Sequence, residues 1–75
     1  MKKKEIIKSI NAYSAILWRL KKMKNWAIKE IHRLEVINRD TLFQEQLIEY
    51  LDTEIISTQK EFLEFVHDNI TTLEQ

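Results

Sequence analysis

Apolar residues recur along the first half of the chain at Ile6, Ile10, Tyr13, Leu17, Leu20, Ala27, Ile31 and Leu34. Their steps alternate between four and three residues, the repeat that keeps one face of an α-helix apolar. Lys24 stands where one more apolar residue is due. With no Gly or Pro to break it, the pattern predicts a single helix over residues 3–37. A second apolar set, Leu47, Ile48, Leu51, Ile55, Phe62, Phe65, Val66, Ile70 and Leu73, predicts another helix over residues 42–73.

The turn between them is placed at residues 38–41. Asn38 tolerates the left-handed conformation that closes many helices, and Asp40 and Thr41 bring N-cap chemistry. Thr41-Leu-Phe-Gln44 fits a capping box. So short a connection makes the two helices antiparallel neighbours. Ser57-Thr-Gln-Lys-Glu61 interrupts the second apolar set, and Thr58 with Glu61 would cap a new helix. A break near Ser57-Thr58 would give a three-helix bundle. The continuous helix is preferred, because Thr58 still falls on the stripe and no Gly or Pro precedes it.

The expected fold is therefore all-α, a single domain over residues 1–75 built as an antiparallel two-helix hairpin. Such a hairpin has one internal interface, yet Ile7, Ile16, Met23, Ile28, Ile37, Ile56 and Leu63 widen the apolar stripes beyond it. A chain of this size without Cys has no disulfides to add to a small core. Dimerisation into a four-helix bundle is the expected remedy, with Lys24 either setting register at a core position or reaching out to the edge. In outline this resembles small bacterial hairpin dimers, among them a plasmid regulator that binds RNA on its first helix. That likeness is one of shape, which does not carry function.

Charge changes the picture. The net charge is zero, but eight Lys and three Arg oppose Glu5, Glu30 and Glu35 in residues 1–39, giving +8. In residues 40–75, Lys60 stands against nine acids, giving −8. Like charges four apart, such as Lys4 and Lys8 or Glu64 and Asp68, repel within their own helix. An opposite-sign neighbour relieves that repulsion, so the charges favour the antiparallel pairing. If the chain folds back near residue 39, facing positions sum to about 79. Lys24 is then expected near Glu54 and Ile55, and the first lysines near Glu74.

Enzyme chemistry finds little support. His32 and His67 cannot meet within a hairpin, and Ser9, Ser14 and Ser57 have no triad partners. Glu64-Phe-Val-His67 matches the Glu-x-x-His pair of di-iron bundles, but such sites need inward carboxylates from neighbouring helices. Glu64 falls off the stripe, and residues 11–15 opposite carry no acid. Neither a metal site nor a cofactor is expected. Without Gly there is no phosphate-cradling loop. No stretch approaches the roughly 20 apolar residues of a membrane span, and no signal peptide is visible, so a cytoplasmic protein is expected. The Ile- and Lys-rich usage fits AT-rich coding sequence, pointing to a low-GC bacterium, a phage or another mobile element.

The outer face of the first helix is the candidate site. Counted at about 100° per residue from Leu20, Lys4, Lys8, Arg19, Lys22, Lys29 and Arg33 fall between about 180° and 260°. By the same count Trp18 stands just outside this arc near 160°, and Trp26 within it near 240°. Cations with large aromatic surfaces suit an acidic or apolar protein partner, or phosphates and stacked bases. The expected function is a non-enzymatic interaction protein, a small regulator, inhibitor or adaptor. The alternative is an RNA- or DNA-binding hairpin using the same face.

Overall fold

The computed structural model describes residues 2–75 as two helices, α1 (Lys3–Val36) and α2 (Leu42–Leu73). They lie side by side in a rod of 57 × 16 × 13 Å. No strand occurs among the described residues. The second helix runs unbroken through Ser57 and Thr58, so the three-helix alternative is set aside. Thr58 is half-buried on the contact face, where its β-branched side chain is tolerated in a helix supported by packing.

The turn shows how a chain without glycine reverses direction. Asn38 takes a positive φ of 56°. Its N–H donates to the Glu35 carbonyl at 3.1 Å, and the Arg39 N–H donates to Leu34 at 2.8 Å. Those two bonds form a Schellman closure, with Asn in the left-handed position usually held by Gly. The start of α2 differs from the expected capping box. Thr41 makes no side-chain cap; instead Asp40 Oδ1 accepts from the Leu42 N–H at 3.0 Å. The acidic side chain reaches the free N–H first, and Asp suits the positive end of the helix dipole better than Thr.

The interface is thin. Ile6, Ala27, Leu51 and Ile55 are the buried hydrophobic residues, flanked by half-buried Ile10, Leu17, Leu20, Ile31, Leu34 and Ile48. Away from the turn, Tyr13 stacks on Phe62 with ring centroids 5.4 Å apart and meets Phe65 at 5.7 Å. Lys3 Nζ donates to the main-chain oxygen of Gln75 at 3.0 Å. These pairs and Lys24–Asp52 sum to 75–78 in residue number, one to four short of the expected 79.

Two sequence expectations change here. Lys24 pairs with Asp52, its Nζ 2.5 Å from Oδ1, rather than with Glu54. The offset in register brings Asp52 to the edge where the long lysine stem emerges, so Lys24 reaches outward instead of standing as an isolated core charge. Ile70, counted in the apolar stripe, is 44% exposed. The contact positions continue the four–three repeat through Phe62, Phe65, Asn69 and Thr72, all half-buried. Asn69 is accommodated because its side-chain amide donates to the Phe65 carbonyl at 2.8 Å. Position in the repeat outweighs hydrophobicity there.

Candidate interaction surface

The α1 helix carries six of its nine cations on the side away from α2, because the four–three repeat has already assigned the inner side mainly to apolar residues. Lys4, Lys8, Trp18, Arg19, Lys22, Trp26, Lys29 and Arg33 are all exposed. Trp18 is 62% exposed and Trp26 52%, so neither indole is absorbed by the hairpin core. Lys22 Nζ lies 4.7 Å from the Trp18 ring centroid, a cation–π pair one helical turn apart.

Arg33 is the exception among the cations. It clasps Glu30, with Nη2 2.7 Å from Oε2 and Nε 3.3 Å from both carboxylate oxygens. This hydrogen bonding, joined by charge attraction, holds the Glu30 carboxyl below its ordinary range and raises the Arg33 guanidinium. Glu30 lies outside the cationic arc by angle, but an i,i+3 arginine reaches it. Lys4, Lys8, Arg19, Lys22 and Lys29 form no ion pair among the described residues. Five cations and two indoles thus share one open helix face.

A second surface was only half legible in the sequence. On α2, Ile56, Leu63 and Ile70 repeat every seven residues and are 66%, 70% and 44% exposed. Gln59, Val66 and Leu73, all half-buried, alternate with them at steps of three and four. This is a second apolar seam beside the one that packs on α1. Asp52, one turn before Ile56, reaches Lys24, so the seam flanks the helix contact on the side where Lys24 emerges. Ile7 on α1 is also exposed, and its helical angle puts it on that side, level with Ile70 in the observed register. The opposite side of the hairpin holds a shallow apolar groove of about 310 Å³ lined by Ser9, Ala12, Tyr13 and Ile16.

Glu64 and His67 are both exposed, and no group of three or more His, Cys, Asp or Glu side chains gathers among the described residues. Nor is any described helix long and apolar enough to cross a membrane. Compared with protein-family models, with curated proteins and with solved structures, the chain matches none.

Proposed function

We propose that this chain is a non-enzymatic helical interaction protein, a small regulator, inhibitor or adaptor, that dimerises and binds an acidic or apolar protein surface through the outer face of α1. The observation that carries this reading is the exposure of Trp18 and Trp26 beside five cations that form no ion pair among the described residues. Aromatic and arginine side chains are the ones that anchor protein interfaces. Leaving indoles more than half exposed without a partner forfeits the burial of large apolar area.

The test is a double variant, Arg19→Ala with Trp26→Ala, used as bait beside the parent in extracts of the native host. A protein captured by the parent and lost from the variant supports the reading, provided helicity and mass in solution stay the same. Capture unchanged by the double variant overturns it.

A second reading, RNA or DNA binding, is favoured by one feature: five cations along a single face that form no ion pair among the described residues. Binding through several phosphates weakens by orders of magnitude between about 50 and 200 mM salt. Retardation of mixed RNA or DNA at low salt, lost across that range, would favour this reading. No retardation at low salt excludes it.

A further inference from the structure

The hairpin exposes more surface than its mass explains. A compact monomer of 9.1 kDa should expose about 4,900 Å² by the usual scaling of area with mass. This chain exposes 6040 Å². The excess, about 1,100 Å², matches the 800 Å² or more that each partner buries in a stable dimer. Ile56, Leu63 and Ile70 supply the apolar part of that excess in one continuous seam, with Ile7 beside it.

Charge selects how a second copy would lie on it. Each hairpin is a rod with +6 along α1 and −6 along α2. Two such rods can meet face to face about a two-fold axis in two ways. If the axis runs across the rods, α1 lies on α1 and α2 on α2, and like charges are stacked along the whole length. If the axis runs along the rods, α1 of each copy lies on α2 of the other, and the charges alternate around the bundle. Over helices about 8–10 Å apart, comparable with the Debye length in physiological salt, the difference is felt at every turn.

We infer that the Ile56–Leu63–Ile70 seam is covered by α1 of a second copy of this chain, with both turns at the same end of a four-helix bundle. The register supports this placement. An axis along the rod keeps heights equal in the two copies. Ile7 of one copy then stands level with Ile70 of the other, and Trp18 falls between the heights of Ile56 and Leu63. By the same register Lys4 comes level with Glu74, and Lys29 with Glu49. Trp18, at the edge of the cationic face nearest the seam, packs on the second copy. Trp26, toward the far side of that face, stays open to a third molecule. The inference rests on the dimer proposed above and adds its geometry.

The chain has no cysteine, so Arg39→Cys places a single spin label on the exposed turn. Light scattering on the labelled protein should give twice 9.1 kDa. Dipolar spectroscopy should then give a label-to-label distance of about 30 Å or less, the span of neighbouring helices plus two label arms. A mass of one chain would overturn the dimer itself. A dimer with labels separated by nearly the 57 Å length of the rod would leave the dimer standing and overturn this arrangement. Leu63→Glu should weaken self-association at least tenfold. Unchanged association of that variant removes the seam from the interface. If Leu63→Glu instead fails to fold, the label distance in the otherwise unaltered chain still decides.

Discussion

Single side chains carry much of this fold because so few are buried. Asn38 is the clearest case: its positive φ closes α1 in a chain that has no glycine. Asn38→Gly should leave stability nearly unchanged, whereas Asn38→Val should cost about 1–2 kcal/mol, since a β-branched residue resists the left-handed region. Urea unfolding at matched protein concentration measures both. The Glu30–Arg33 pair predicts a pH effect. Its hydrogen bond lowers the Glu30 carboxyl, so the stabilisation is complete above the ordinary carboxyl range and fades as pH falls through the lowered value. Glu30→Gln should therefore be less stable than the parent at neutral pH and indistinguishable from it in strong acid. A difference that persists in acid would show that the pair is not its source.

At the level of the helices, stability rests on one contact seam. Leu51 is almost fully buried within it, and Leu51→Ala should cost about 2–5 kcal/mol, comparable with the whole stability of a core this small. The variant is expected to be largely unfolded by circular dichroism at room temperature. Lys24 predicts the opposite sign. It occupies the place in the repeat held elsewhere by Ile10, Leu17 and Ile31, and its partner Asp52 is half-exposed. Exposed pairs contribute about 0–1 kcal/mol, whereas burying a leucine there contributes about 1.5–3 kcal/mol. Lys24→Leu should raise the denaturation midpoint. A fall would mean that the Lys24–Asp52 pair matters more than apolar contact.

Over the whole molecule, opposite charges on two parallel rods make stability sensitive to salt. The Debye length shrinks from about 30 Å at 0.01 M to about 8 Å at 0.15 M, close to the helix spacing. The melting temperature at fixed protein concentration should fall between these conditions and then level off. A flat or rising curve would show that attraction between the helices is outweighed by repulsion within each. Two helices and the turn were legible in the sequence, because alternating four–three steps and the Asn38–Asp40 cluster act locally. The candidate face was legible too, since helical angle alone puts the cations opposite the apolar stripe. The seam on α2 was legible only in part: Ile56 and Leu63 read as surplus apolar area, but Ile70 reads as core until the register shows Asn69 in its place.

By itself the sequence determined where the helices lie, which faces are apolar and how charge divides between the two halves. Those properties follow from the 3.6-residue turn and from side-chain chemistry within about one turn of the backbone. Tertiary structure decided the rest. Register is set by side chains from both helices at once, and it moved Lys24 from Glu54 to Asp52, admitted Asn69 to the contact and left Ile70 outside it, beside Ile56 and Leu63. Periodicity names the residues on a face. Only the packed pair shows which of those faces is still uncovered, because covering one takes the area and height of a particular neighbour.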